Sequence, residues 1–292
     1  MTRSRKKVEP KGVGKELLPG QSTALLKELH ILTRDGALNA DSLRKLKQVN
    51  HLLQLLEPAL SDVLGRYGSP LVVDCGAGKS YLGFLLYERF LRGDDKTTGR
   101  GHLVAVESKA GIVKSGRTIL EKLPYDRMAF VEKTIEAYEP SERVHVVTAL
   151  HACDTATDDT LALAIRRNAD WVAVVPCCQA EVARQLAERG EKKGVVAALY
   201  EHPWHRREFG SHLTNVLRAL TLEAHGYSVT VTELAGWEHS LKNELLLGKK
   251  VRASSPQARA KLDALLAATG VEPKLNATLK ASEPRVPDDD FR

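Results

Sequence analysis

The residues best suited to chemistry surround a glycine-rich turn in the segment LVVDCGAGKSYLG. Asp74 ends a short apolar run, and Gly76 and Gly78 follow it in a D-x-G-x-G arrangement. Glycine allows a sharp backbone turn and lets a ligand approach the chain closely. An acidic residue that ends a strand just before such a turn is typical of an S-adenosylmethionine (SAM) site. The motif predicts that Asp74, Gly76, Gly78 and Lys79 hold SAM.

Two other glycine motifs fit this turn less well. A phosphate-binding P-loop shares the Gly78-Lys79-Ser80 ending, but Val73 occupies the position of its first glycine. A dinucleotide-binding G-x-G-x-x-G motif would need glycine where the chain has Tyr81. SAM brings no pyrophosphate, so its site does not require that third glycine.

Two further acidic residues end the next β-rich runs. Glu107 ends the second run, where a carboxylate can accept hydrogen bonds from both ribose hydroxyls of SAM. Glu132 ends the third run and could accept a hydrogen bond from the adenine amino group. The order of glycine turn and strand-end acids strengthens the prediction of a SAM site.

Cysteine and histidine residues gather at the ends of other predicted strands. In an open α/β sheet, ligands bind beyond the carboxyl ends of the strands. Strands one, four and five are neighbours if the strand order is 3-2-1-4-5. We therefore expect one rim, beside the methyl group of SAM, to carry Cys75, His151, Cys153, Asp154, Cys177 and Cys178.

Four roles are open for this rim. His151 or Asp154 could act as a general base or orient the acceptor atom. Cys177 or Cys178 could attack a pyrimidine ring covalently. His151 and Cys153 could bind zinc together with the paired cysteines, although adjacent cysteines are not usual zinc-finger spacing. The cysteines could also simply pack as small apolar residues.

Two segments are candidates for substrate binding. The segment YEHPWHRR combines an aromatic side chain with basic ones, a combination suited to stacking a base and contacting phosphate. Alternatively, it is a loop whose tryptophan fills the edge of the core. Lys242-Asn243 begins the last strand and either completes the pocket or lies in a solvated turn. The predicted substrate-binding residues are Trp204, His205, Arg206, Arg207, Lys242 and Asn243.

The hydrophobic pattern predicts the elements that position these residues. Short apolar runs alternate with helical stretches, which indicates βαβ units and a doubly wound α/β fold with a mostly parallel, seven-stranded sheet. The last two strands should form an antiparallel hairpin, because only nine residues separate them. The predicted strands are 71–75, 102–107, 128–132, 144–150, 170–176, 227–233 and 243–248.

The chain divides into four predicted regions. Residues 1–15 form a basic flexible arm, and 16–68 form a helical cap with helical runs over 17–32 and 42–64. The second run is one helix or two helices broken near Pro58. Residues 69–250 form a Rossmann-like SAM-binding domain, and 251–292 hold one helix and a tail.

The amino-acid composition gives the net charge of the protein and indicates its cellular location. The 292 residues carry a net charge of +6, and residues 1–15 hold six basic residues against one acid. Such an arm either binds phosphate or is a solvated tail. No apolar run approaches the roughly 18–20 residues that span a bilayer, and we expect neither a membrane segment nor a secretory signal. The four cysteines match no disulfide framework, which favours a cytoplasmic location.

Several motifs resemble one methyltransferase family. DCGAGKSYL, ALHACDTATDDTL, VVPCCQ and GWEHSLKNELLL look like the family that includes acceptor-stem tRNA 2′-O-methyltransferases and methyltransferase-like homologues of rRNA adenine dimethylases. The resemblance covers roughly residues 43–249. Ser80 and Asp154 stand where the family has glycine, its K-K-x-H-E element survives only as Lys45, Lys47, Asn50 and His51, and the zinc-finger regions of its tRNA-modifying members are absent.

Together these features predict a SAM-dependent methyltransferase, and RNA is the expected substrate. The resemblance, the basic arm and the aromatic-basic segment each favour RNA. Two alternatives remain: a methyltransferase that acts on a protein or small molecule, and a non-catalytic module that binds SAM or RNA.

Overall fold

The computed structural model describes residues 7–8, 16–93, 100–150, 152, 154–176, 179–188, 195–234 and 244–282. Nine strands lie in two sheets within these ranges. Their bounds are β1 Lys7–Val8, β2 Leu38–Asn39, β3 Leu71–Cys75, β4 His102–Glu107, β5 Met128–Glu132, β6 Val146–Ala149, β7 Trp171–Val174, β8 Tyr227–Glu233 and β9 Glu244–Lys250.

Seven strands form the main sheet, in the order β5-β4-β3-β6-β7-β9-β8. The pairs β5-β4, β4-β3, β3-β6 and β6-β7 are parallel. Strand β9 is antiparallel to both β7 and β8. The predicted α/β fold with a terminal antiparallel hairpin is confirmed, and so is the strand order that brings strands one, four and five together.

Helices cover both faces of this sheet. The long helices are α2 Ala40–Arg66 and α7 Pro203–Ala224. Helix α3, Tyr81–Leu86, continues into a π-helical turn, Tyr87–Leu91. The other helices are α1 Thr23–Glu28, α4 Ala110–Leu120, α5 Thr155–Arg166, α6 Glu181–Glu188, the 3₁₀ turn Val195–Leu199, α8 Pro256–Thr269 and α9 Lys274–Ser282.

Consecutive residues of the central strands face opposite layers of the protein. Val72 packs with the cluster that contains Leu56 of α2 and Phe84 of α3. Val73 packs with the cluster on the other face, which contains Leu161 of α5. This alternation follows from the two-residue period of a strand, and burial on both faces explains why the strands are continuously apolar.

The N-terminal helical region is fastened to the sheet at its amino edge. The indole of Trp171 donates to Asp62 Oδ2 at 2.7 Å, and the hydroxyl of Tyr67 donates to Asp170 Oδ1 at 3.0 Å. Helix α2 is continuous through Pro58, so the alternative of two shorter helices is wrong. Because the C-terminal end of α2 lies at this amino edge, its first turns lie toward the carboxyl edge.

The structure differs from the sequence-based prediction in three places. Two residues of the predicted flexible arm, Lys7 and Val8, pair with Asn39 and Leu38 in a small antiparallel sheet. Helix α7 occupies a region where no helix was predicted, and α9 follows α8 where only a tail was expected. Within the part of the chain that the structure describes, no helix has the length and apolar character needed to cross a membrane.

Candidate active site

The glycine-rich turn adopts a left-handed backbone at three positions. Gly76, Gly78 and Ser80 have φ angles of +57°, +55° and +51°. Glycine adopts such angles without strain, whereas residues with a Cβ atom are strained there. Ser80 stands at a glycine position of the resembled family, and its backbone keeps the glycine-like conformation. The turn therefore has a conformation that its sequence only partly favours.

The buried carboxylate of Asp74 stabilises this turn through hydrogen bonds. It accepts hydrogen bonds from Ser80 Oγ at 2.9 Å and from Thr148 Oγ1 of β6 at 3.0 Å. Burial raises the pKa of Asp74 to about 6, although these hydrogen bonds and one from the backbone N–H of Gly83 oppose the shift. Asp74 is 2% exposed. It thus shapes the turn, and its predicted part in holding SAM stays a prediction.

The carboxylate of Glu107 joins the turn to the end of β4. Its Oε2 accepts from the backbone N–H of Gly78 at 2.9 Å, and its Oε1 accepts from the N–H of Lys109 at 2.9 Å. Glu132 ends the adjacent strand in register with Glu107 and is exposed. Lys79 is also exposed on the turn. The acids predicted at the strand ends therefore lie side by side at the carboxyl edge, next to the turn.

The space above the turn fits a bound cofactor. A Cβ atom built at Gly78 would meet no atom within 4 Å, and one at Gly76 would meet Ala152 at 3.5 Å. The turn therefore exposes bare backbone on one side and is packed on the other. The Glu107 carboxylate that accepts from the N–H of Gly78 lies beside this bare backbone.

The predicted rim of cysteines is only partly described. Cys75 is a free thiol in the core, it is fully buried, and burial raises its pKa. It was expected on the rim beside the methyl group, but its side chain packs in the core cluster with Leu161, as the alternative of a small apolar packing residue predicts. The other members of the predicted rim, His151, Cys153, Cys177 and Cys178, lie outside the described residues, and so do Lys242 and Asn243.

Asp154 caps a helix, and its predicted role as a general base or in orienting the acceptor atom stays a prediction. Its Oδ1 accepts from the backbone N–H groups of Ala180 and Glu181 at 3.0 and 3.3 Å, and Arg184 pairs with its other oxygen at 3.3 Å. These donors lie at the start of α6, where a carboxylate is favourable. Asp154 thereby links the loop after β6 to the loop after β7.

The backbone of Asp154 is strained, and a buried arginine holds it. Its φ and ψ are +50° and −120°, a conformation that residues with a Cβ rarely adopt. Arg218 Nη2 donates to the carbonyl oxygen of Asp154 at 2.8 Å and to Asp158 Oδ2 at 2.8 Å. Like Ser80, Asp154 stands where the resembled family has glycine, and it has a left-handed φ that polar contacts hold.

Asn215 extends this network to the last strand. Its side-chain oxygen accepts from Gln179 Nε2 at 3.2 Å and from Arg218 Nη1 at 3.3 Å, and its amide donates to Glu244 Oε2 at 2.8 Å. Gln179 follows the paired cysteines in sequence, and Glu244 begins β9. Helix α7 therefore ties together the loop after β7 and the entry into the last strand.

Sequence reasoning missed Arg218 and Asn215 because it did not identify their helix. The available signal was a helical period in residues 203–224, with Pro203 in the first turn, where proline is favoured. Within that period, Arg218 falls on the apolar face beside Leu217 and Leu222, where an unpaired charge would be costly. A charged residue at such a position indicates a buried partner.

The aromatic-basic segment begins α7 instead of forming a loop. Trp204 is 61% exposed, so the alternative that it fills the core edge is wrong. The guanidinium of Arg207 lies 4.1 Å from the centre of its ring, and His205 is exposed beside it. Arg206 differs from its neighbours, because it donates to the carbonyl oxygens of Tyr200 and Glu201 and holds the preceding turn.

Among the described residues, no group of three or more histidine, cysteine, aspartate or glutamate side chains is arranged to hold a metal ion. The zinc hypothesis depended on His151 and three cysteines that lie outside these residues, so it stays a prediction.

Two features define a class I methyltransferase fold. One is the strand order, in which the antiparallel strand β9 lies between β7 and the edge strand β8, and the other is the glycine turn between β3 and α3. A protein-family model described as a methyltransferase domain matches residues 44–185. The chain is a SAM-dependent methyltransferase, and SAM supplies it with an electrophilic methyl group. Comparison with curated proteins finds no significant match.

Solved structures with a similar architecture include enzymes of different specificity. An rRNA methylase from Streptococcus thermophilus is 11% identical, with a TM-score of 0.45 over 68% of this chain and 95% of that one. A SAM-dependent methyltransferase from Aquifex aeolicus is 14% identical, with a TM-score of 0.39 over 84% and 100%. A geranyl diphosphate methyltransferase with GPP and sinefungin is 17% identical, with a TM-score of 0.41 over 68% and 77%. Similarity this low says nothing about the substrate of this chain.

Proposed function

We propose that this methyltransferase acts on RNA. The observation that carries the proposal is the exposed Trp204 with Arg207 stacked on it at 4.1 Å. An exposed indole beside basic side chains suits a nucleobase and its phosphates, because every base has a π-face and every phosphate a negative charge. The surface lies on α7, whose later residues Asn215 and Arg218 hold the loops around the predicted methyl-transfer rim.

The basic arm supports the same substrate. Residues 1–15 carry most of the excess positive charge of the chain, and Lys7 pairs with Asn39 at the start of α2. We propose that the arm contacts phosphate, that residues 16–68 act as a cap, that 69–250 form the catalytic domain and that 251–292 close the C-terminal side. We also propose a cytoplasmic location, as the cysteine pattern predicts.

Within the site, we propose that the residues that hold SAM are Asp74, Gly76, Gly78, Lys79, Glu107 and Glu132. The bare backbone at Gly78 and the carboxylate of Glu107 at 2.9 Å from it support this assignment. Of the proposed catalytic residues, His151 is assigned the role of general base and Asp154 that of positioning the loops. Whether Cys177 or Cys178 reacts with a pyrimidine is tested by replacing each with serine, which should abolish turnover if the chemistry is covalent.

Transfer of label from radioactive SAM into total cellular RNA, compared with total protein, tests the proposed substrate. Label in RNA is the expected result. Label in protein alone, or in small molecules alone, would assign the enzyme to another substrate class, and absence of label from all of them with normal SAM binding would indicate a non-catalytic module. Removal of residues 1–15 should lower RNA affinity and flatten its salt dependence, because fewer counterions are released.

A further inference from the structure

A cavity of about 320 Å³ lies between the helical cap and the carboxyl edge of the sheet. We call it the cap pocket. Its walls are mainly apolar and come from the segment after α1, from the first turns of α2, from the start of α3 and from the end of β6. The apolar and aromatic lining residues are Leu29, Ile31, Val49, Leu52, Tyr81 and Leu150.

The position of the cap pocket places it beside the predicted reaction centre. Tyr81 directly follows the glycine turn, and Leu150 directly precedes His151 at the end of β6. Strands β3 and β6 are hydrogen-bonded neighbours, so these two residues bracket the gap between the SAM turn and the predicted general base. A group held in the cap pocket would therefore lie next to the methyl group that is transferred.

Polar groups at the cap pocket are poised for a ligand. His30 and Lys45 line the cavity and are exposed, and neither side chain pairs with any residue that the structure describes. His30 has a φ of +55°, a left-handed conformation where a helix end usually has glycine. An imidazole kept at a strained position beside an apolar cavity points to a function in that cavity.

The described strand of the basic arm pairs with the chain just before α2. Strand β1 of the arm pairs with Leu38–Asn39, and Asn39 caps α2 through a hydrogen bond of 2.8 Å from the N–H of Ser42. Lys45 lies six residues after Asn39, about 9 Å along the helix axis. Strand β1 therefore lies near the helix turns that carry Lys45, the cation at the mouth of the cavity.

We propose that the cap pocket receives the base of the nucleotide that is methylated, with Tyr81 and the apolar wall contacting the base and Lys45 facing the adjacent phosphate. This inference rests on the proposed RNA substrate. A nucleobase fits the combination of an apolar wall, an aromatic ring and unpaired polar groups at the rim, and the anchored basic arm favours an RNA chain over an uncharged small molecule.

The test uses the full chain with two pocket variants and a matched control. Val49→Trp fills the cavity and Lys45→Ala removes the cation, whereas Arg44→Ala removes an exposed, neighbouring cation that does not line the cavity. We expect both pocket variants to bind SAM as the wild type does, measured by calorimetry, and to methylate RNA about ten-fold or more slowly. Arg44→Ala should behave as the wild type does.

His30→Gly keeps the test valid if the tryptophan variant does not fold. Glycine suits the left-handed φ, so this variant should unfold at the same or a higher temperature and still methylate RNA more slowly. Loss of SAM affinity in Val49→Trp would overturn the proposal and assign the cavity to the cofactor. Full RNA methylation by folded Val49→Trp, or by both His30→Gly and Lys45→Ala, would also overturn it. If the wild type itself transfers no methyl group to RNA, the proposed function fails, and the assigned occupant fails with it.

Discussion

Arg218 of α7 and Asp158 of α5 form a bidentate ion pair inside the protein, with Nε–Oδ1 and Nη2–Oδ2 distances of 2.9 and 2.8 Å. Both side chains are almost completely buried. The same guanidinium supports the strained backbone of Asp154. One buried cation therefore joins two helices and the loop that leads from β6 into α5.

Replacing Arg218 with methionine should strongly destabilise the protein, because Asp158 would keep a buried charge without a partner. Breaking a buried pair in this way costs about 3–5 kcal/mol in free energy of unfolding. Urea denaturation measures the change. The double variant Arg218→Met/Asp158→Leu should recover part of the loss, whereas Arg184→Ala, which breaks an exposed pair with Asp154, should have little effect. A loss in Arg218→Met no larger than in Arg184→Ala would contradict the role assigned to the pair.

Gly83→Ala should destabilise the glycine turn through Ser80. A Cβ at Gly83 would lie within 2.2 Å of Ser80 Oγ and 3.1 Å of Asp74 Oδ2. Overpacking of this kind costs about 1–3 kcal/mol. Ser80→Gly removes the obstructing hydroxyl at a residue whose φ suits glycine, so the double variant should be more stable than the sum of the single changes predicts.

A double-mutant cycle in chemical denaturation measures this coupling, which should be about 0.5–3 kcal/mol for residues in contact. Gly65→Ala is the matched control, because a Cβ there meets nothing within 4 Å in α2. That change should stabilise the protein by about 0.5–1 kcal/mol. Additive effects at residues 80 and 83 would show that the hydroxyl does not limit the space at Gly83.

Glu107→Gln should weaken SAM binding with little change in shape. The carboxylate already accepts from the N–H of Gly78, and we propose that it also accepts from the ribose hydroxyls. Hydrogen bonds to a charged group contribute about 1.5–3 kcal/mol, which corresponds to about ten-fold or more in affinity. Calorimetric titration with SAM measures the loss. Glu132→Gln, on the neighbouring strand, should show a smaller effect, and equal affinity in the wild type and Glu107→Gln would remove Glu107 from the cofactor site.

Asp74 should make stability depend on pH. Its pKa rises from 3.8 to about 6 on folding because of burial. A raised pKa means that the folded state binds the proton more tightly than the unfolded state does. The stabilisation from this proton is complete below about pH 4 and is lost as the pH rises through 6, a loss of about 3 kcal/mol at 1.36 kcal/mol per pKa unit.

The Asp74→Asn variant carries no titrating group at this position, so its free energy of unfolding should lack the pH-dependent contribution of Asp74. The free energy of unfolding of the variant minus that of the wild type should therefore increase between pH 4 and about 6.5. Other buried acids contribute equally to both proteins and cancel in the difference. A difference that stays constant across this range would show that Asp74 does not titrate there.

Trp204→Ala should lower RNA affinity and leave the fold intact, because the indole is 61% exposed. Stacking of a base on an aromatic side chain contributes about 1–3 kcal/mol to binding, so we expect about five-fold or greater weakening. Fluorescence titration with total tRNA measures the effect. Val231→Ala, at an exposed apolar residue of β8, should bind RNA normally. Equal affinity for Trp204→Ala and the wild type would remove this surface from the substrate site.

The sequence by itself determined the fold class, the bounds of four main-sheet strands and the positions of Glu107 and Glu132 at strand ends. These features depend on local hydrophobic pattern and on connection length, which constrain a chain before it folds. The glycine-rich turn could be recognised for the same reason, because glycine spacing indicates the backbone conformation directly.

Only the tertiary structure decided what the polar side chains at these positions do. Asp74 and Asp154 were both predicted as site acids, and the structure shows that Asp74 accepts a hydrogen bond from Ser80 and that Asp154 caps α6. The role of Arg218 depends on the packing of α7 against α5, which brings it to Asp154 and Asp158. Asp74 and Thr148 are 74 residues apart in sequence, and Asp62 and Trp171 are 109 residues apart. No local pattern encodes such pairings.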